Sequence, residues 1–153
     1  MPVYYLDTSA IVKRYLEEQG TEVMDRLLDD TGPHNSFYTS WLSILELTSA
    51  ILRLANGGRL TRDAADTVLA RFRQVIGETI LLWPVDDSIL RAALAVVEGH
   101  QLRSGDAVYL ATAATIFRLA PDSETILVSS DRELLEAAMG SGMGVLNPQD
   151  AAA

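Results

Sequence analysis

Five short apolar runs, each set apart from the next by helical periodicity, constrain this chain more than any other feature. The runs fall at 2–6, 34–39, 80–85, 125–129 and 144–146. Apolar residues at helical spacing fill the intervals, over 9–18, 21–29, 40–55, 61–76, 88–98, 104–119 and 132–139. Strands joined through helices pair in parallel, because each crossover returns the chain to the same edge of the sheet. The expected fold is therefore α/β, with a central parallel sheet of about five strands flanked by helices in three layers. Gly20, Gly32-Pro33 and Asn56-Gly57-Gly58 supply the stop and turn signals between elements. The segment 104–119 is nearly all apolar, which marks a buried helix. Residues 1–150 read as one domain, long enough to remove roughly 70% of the unfolded surface from water. Residues 151–153 read as a frayed tail.

Composition removes several function classes. With no cysteine there is no disulfide framework, thiol nucleophile or cysteine zinc site. The two histidines, His34 and His100, are distant and lack the spacing of a paired ligand, so each is expected at the surface. No run approaches the ~18 apolar residues of a membrane span, and the start lacks a basic signal region, so a cytoplasmic, membrane-free protein is expected. The net charge of −9 repels polyanions in general. A nucleic-acid partner would need a local basic patch or metal ions. One patch exists: Arg53, Arg59, Arg62, Arg71 and Arg73 stand against only Asp63 and Asp66. The early acids from Glu17 to Asp30 read as a solvated helix face.

Within this frame, four acids require explanation. Asp7 ends the first buried strand in "YYLDTSAIVKRY", and Asp131 follows the fourth in "ILVSSDRELLEAA". In parallel sheets the reactive crevice lies beyond the carboxyl ends of the strands, so both point to one edge. Asp106, in "LRSGDAVYLATAA", falls in the first turn of the buried helix, with Ser104 as its expected cap. A macrodipole-friendly acid accounts for it equally, at about 0.3–1 kcal/mol. Asp131 has a similar alternative, because Ser130 and Glu133 fit a capping box. Glu46, in "SWLSILELTSAI", lies well inside a helix with Leu42, Ser43, Ser49 and Ala50 around it and no basic partner one turn away. The stripe Ser43, Glu46, Ser49, Arg53 faces either solvent or a recess.

Taken together the four acids say more. Converging carboxylates repel by about 4 kcal/mol at 4 Å and an effective dielectric of 20. A divalent cation relieves that repulsion, and all-oxygen ligands select Mg²⁺ or Mn²⁺. Such a site activates water and stabilises charge on a phosphoryl group. Helix starts near Asp106 and Asp131 are expected to keep both ionised.

These stretches, in this order and followed by "VLNP", resemble the PIN-domain nucleases, in particular VapC-type toxins of toxin–antitoxin pairs. The resemblance implies a PIN-like α/β/α fold and a metal-dependent endoribonuclease. Its acidic quartet carries over to Asp7, Glu46, Asp106 and Asp131 as catalytic and metal-binding residues, with Asp7 and Asp106 the direct ligands. Ser9 and Ser129 match hydroxyls that orient the carboxylates. It further implies an RNA substrate, often transfer or ribosomal RNA, a cognate antitoxin that inserts a peptide into the acidic groove, and a homodimer. Arg53, Arg59 and Arg62 are the expected RNA contacts, with binding that weakens as salt rises.

Other readings fare less well. Phosphotransfer domains also place an aspartate after a strand, but here Ser9 occupies the second-aspartate position and the sole lysine is Lys13. "GSGMG" at 140–144 follows a helix and lacks the lysine of a phosphate loop, so it is expected to form a turn. A rival of another class is a catalytically silent PIN-fold module that binds or scaffolds.

Overall fold

The computed structural model describes residues 1–30 and 32–150, so the expected tail at 151–153 lies outside the described residues. Strands β1 (Val3–Leu6), β2 (Ser36–Ser40), β3 (Ile80–Trp83), β4 (Thr125–Val128) and β5 (Gly144–Leu146) form one sheet in the order β3-β2-β1-β4-β5. Every strand pair is parallel, as the helical intervals require. Helices α1 (Thr8–Tyr15), α2 (Thr21–Asp29), α3 (Trp41–Asn56) and α4 (Arg62–Val75) precede β3. Helices α5 (Asp87–Gly99) and α6 (Ser104–Leu119) lead to β4, and α7 (Arg132–Gly140) joins β4 to β5.

Side-chain alternation along the strands divides the core between two faces. Leu6 and Val128 join Ile11, Met24, Leu47, Ile51, Leu69 and Phe72 under α1 to α4. Val3, Tyr5 and Leu127 face the other way, against Tyr109, Leu110, Ile116 and Leu134 of α6 and α7. A further cluster, including Ile89, Ala93 and Ala111, fastens α5 to α6. Each fully buried Leu or Ile contributes about 1.5–3 kcal/mol relative to exposure. The layers are thus helices, sheet, helices.

Several boundaries differ from the sequence expectation for local reasons. Helix α1 stops at Tyr15 rather than running to residue 18; Leu16 is extended, and Gly20, at φ +99°, caps the start of α2 instead. Arg103, not Ser104, is the N-cap of α6, and no side chain caps that end. The capping box at Ser130 does not form: Asp131 itself caps α7, its Oδ1 accepting from Leu134 N at 3.2 Å. The acidic run 17–30 is not simply solvated, since Glu18 pairs with Lys13, and Asp25 and Asp29 pair with Arg14. Both histidines are exposed and 140–144 includes a turn, as expected. No helix among the described residues is long and apolar enough to cross a membrane.

Candidate active site

The sheet order places β1 and β4 side by side at its centre, with Leu6 opposite Val128. The direction in which strands are added reverses here, because β2 and β3 build outward from β1 on one side and β5 builds outward from β4 on the other. Residues just past these two strands therefore meet at the switch-point crevice. Asp7 is one of them, and its side chain is only 3% exposed. Its Oδ1 caps α1 by accepting from Ala10 N at 2.9 Å, and also accepts from Ser9 Oγ at 2.7 Å. Its Oδ2 accepts from Ser129 Oγ at 2.5 Å. Ser129 Oγ in turn accepts from Asp131 N, and Ser9 Oγ from Ser130 N. The two serines thus tie the end of β1 to the turn that carries Asp131.

Glu46 reaches the same edge from α3. Ser40, the last residue of β2, caps α3 by accepting from Leu42 N, so α3 starts at the carboxyl edge. Thr39 Oγ1 donates to the Leu6 carbonyl at 2.6 Å and lies 2.8 Å from Ser43 Oγ, fastening the first turn of α3 beside Asp7. Ser43 is buried and Glu46 half-buried, whereas Ser49 and Arg53 are exposed, so the polar stripe of α3 splits between recess and solvent. Oε2 of Glu46 accepts from Tyr109 OH at 2.7 Å and from Thr8 Oγ1 at 3.0 Å. Its Oε1 lies 3.2 Å from where a Cβ on Gly105 would stand, and any larger residue there would press on the carboxylate.

Asp106 follows Gly105 in the first turn of α6. A helix leading into a parallel strand runs against it, so α6 also starts at the carboxyl edge. Burial raises the carboxyl of Asp106, and the negative charges of nearby Asp131, Asp7 and Glu46 raise it further. Hydrogen bonds thus join Asp131 through Ser129 to Asp7, while Glu46 approaches Gly105 next to Asp106, and the four acids feel one another's charge at this edge. None of the ion pairs among the described residues involves any of these four acids.

The electrostatics temper the help expected from the helix starts: Asp106 is pushed up to about 6, first by burial and then by the charges of Asp131 and Asp7, and so stays mostly ionised at neutral pH. A helix start offers about half a positive charge, which several neighbouring carboxylates outweigh. Burial likewise raises Asp7, against the lowering effect of its bonds to Ser129, Ser9 and Ala10.

Among the described residues, no group of three or more Asp, Glu or His side chains converges closely enough to hold a metal ion. The donor chemistry nonetheless fits a hard cation: the side chains offered are carboxylates and hydroxyls, and the carboxylates raise one another's pKa. Two clefts of about 440 and 450 Å³ flank α7, but none of the four acids lines them. Arg53 is exposed near the end of α3, seven residues or ~10 Å of helix rise beyond Glu46. Arg59 and Arg62 are exposed in the α3–α4 connection and at the start of α4, Arg62 within 3.6 Å of Asp66.

Sequence reasoning passed over Thr8, Gly105, Tyr109 and the buried Lys13. Lys13, 2% exposed, donates to the Ser9 carbonyl at 3.0 Å and to Glu18 at 2.8 Å, bracing the turn that carries Asp7. Thr8 carried a signal, as the hydroxyl between Asp7 and Ser9. Tyr109 carried none, because it sits inside an apolar run.

Residues 4–138 match the family model of the PIN domain. The chain belongs to the PIN-domain family. Among PIN-domain proteins it is 34% identical over 147 residues to Ribonuclease VapC35 of Mycobacterium tuberculosis, covering 96% of this chain and 98% of that one. Two solved structures share the PIN fold at low identity. A toxin–antitoxin complex from Klebsiella pneumoniae matches with a TM-score of 0.62 at 17% identity, covering 95% of this chain and 97% of that one. The VapC20 toxin of Mycobacterium tuberculosis, which cleaves the sarcin–ricin loop, gives 0.62 at 17% identity over 88% and 94% of the two chains. At such identities these two show the fold alone. The match to VapC35, across nearly all of both chains, makes this PIN-domain protein a VapC-type member.

Proposed function

We propose that this chain is a metal-dependent endoribonuclease and the toxin partner of a cognate antitoxin. The observation that carries the reading is the gathering of Asp7, Asp131, Asp106 and Glu46 at the carboxyl edge, none of them in an ion pair among the described residues. We assign metal binding and catalysis to these four, within a single nuclease domain over residues 1–150. Bound Mg²⁺ or Mn²⁺ would lower the pKa of a water and offset charge on the phosphate. Asp7 is held ready by Ser9, Ser129 and Ala10 N, which fix its rotamer and favour its ionised form. Asp106, raised to about 6 by burial and its acidic neighbours, would be drawn back to its ionised form by a bound cation.

RNA is the proposed substrate, with the phosphate backbone approaching along Arg53, Arg59 and Arg62. The antitoxin partner is proposed to place a basic segment against the acids, where its charge finds no internal competitor. Pairing with a second copy is proposed through the exposed apolar stripe Leu90, Leu94 and Val97 on α5, with Trp41 and Leu45 on α3. The proposed setting is the cytoplasm.

Titration with Mn²⁺ tests the reading. Saturating metal is expected to raise the melting temperature, by a stabilisation of about 2.7 kcal/mol at a hundred times Kd. RNA cleavage and the metal-induced rise should both vanish in Asp7→Asn, which keeps a capping oxygen. A wild-type protein indifferent to Mn²⁺ would point to the silent binding module instead.

A further inference from the structure

Glu46 is held through one oxygen only. Oε2 carries both hydrogen bonds, from Tyr109 and Thr8, while Oε1 takes none among the described residues and faces the side-chain-free Gly105. We propose that Tyr109 is a positioning residue: its hydroxyl, with that of Thr8, fixes Oε2 and so aims Oε1 of Glu46 at the start of α6 as the metal-facing oxygen beside Asp106. This proposal rests on the reading of the four acids as a cation site.

Three features carry it. Tyr109 lies three residues after Asp106, on the same face of α6, so one helix supplies both an acid of the site and the clamp on the other. The phenol is 3% exposed, and its oxygen lies 2.8 Å from Thr8 Oγ1 as well as 2.7 Å from Glu46, so α1, α3 and α6 meet at a single point. A side chain caught between two such partners has little freedom to rotate. Finally, both donors are neutral. A lysine here would orient Glu46 equally well but would cancel the charge that attracts a cation, whereas a phenol and a hydroxyl leave it intact. Gly105 completes the arrangement by leaving Oε1 space that a Cβ at 3.2 Å would invade.

The test is calorimetric titration with MnCl₂ of the wild type, Tyr109→Phe, Glu46→Gln and the double variant, with the metal-free melting temperature of each. Removing a group that orients a ligand is expected to weaken Mn²⁺ binding about tenfold in Tyr109→Phe, the low end of such effects because Thr8 remains. The metal-free melting temperature should hardly move. In the Glu46→Gln background Tyr109→Phe should bring no further loss, because the group it positions is already disabled. Thr8→Val, which removes the other donor, should repeat the pattern and stands in if Tyr109→Phe folds poorly. Wild-type affinity in Tyr109→Phe, or an equal loss with and without Glu46, overturns the proposal. Failure of the wild type itself to bind Mn²⁺ overturns the cation-site reading along with it.

Discussion

Ser129 Oγ donates to Asp7 Oδ2 at 2.5 Å, although 122 residues separate the two in sequence. Each stands one position beyond its strand, and the register of β1 with β4 is what makes them neighbours. A buried carboxylate is thereby given a donor by the strand beside it.

Removing that donor has a cost set by burial. Ser129→Ala leaves Oδ2 of Asp7 without a partner, and a stranded buried acceptor costs about 1–3 kcal/mol. The expected fall in melting temperature is roughly 2–4 °C for each kcal/mol. In an Asp7→Ala background the same substitution should cost markedly less, and thermal denaturation of the four proteins measures the difference.

Asp106 gives the metal-free protein an inverted pH response. Its folded pKa, about 6, lies above the ordinary 3.8, so between these values the folded state binds more protons than the unfolded chain. The stabilisation is complete below the unfolded value and is lost as pH rises through about 6. Discounted for its contact with solvent, the effect amounts to about 1 kcal/mol. Melting curves in a chelating buffer from pH 4 to 7 should show a decline in wild type that Asp106→Asn flattens.

Arg59 and Arg62 are exposed, and the loose pairing of Arg62 with Asp66 binds neither tightly. If both sit against phosphates, changing them to glutamine should weaken RNA binding across sequences. The slope of log K against log salt should then fall by ~0.7–0.9 for each phosphate that is no longer neutralised. Fluorescence anisotropy at several salt concentrations measures it. An unchanged slope would remove this face from the RNA path.

The order of strands and helices was legible because period-two and period-3.6 patterns alternate cleanly along the chain. The ends were less so. Helix α1 stops at Tyr15 although Gly20 is the visible breaker, because Leu16 turns extended and Thr21 Oγ1 donates to the Lys13 carbonyl. Asp7 and Asp131 stood out by following strands and Glu46 by lacking a basic residue one turn away, properties that sequence does display. Their supports did not. Tyr109 looks like any aromatic in an apolar helix until Glu46 arrives from a segment 63 residues away. Lys13 gives no sign in the sequence of its burial, which in the fold brings its stem beside Gly20. The raised pKa of Asp106 comes first from burial and then from the charge of Asp131, neither of which spacing along the chain encodes.

The seam between β1 and β4 also sets when the crevice can exist. A polypeptide is made from its first residue onward, and β4 enters the sheet only after some four-fifths of this one has been made. Until then Asp7 has no Ser129, Asp106 has no Asp131, and the innermost strand has one bare flank. The acidic crevice is thus assembled last: if its acids form the nuclease centre proposed above, a nascent or truncated polypeptide would be unarmed, and only the finished fold could act on RNA.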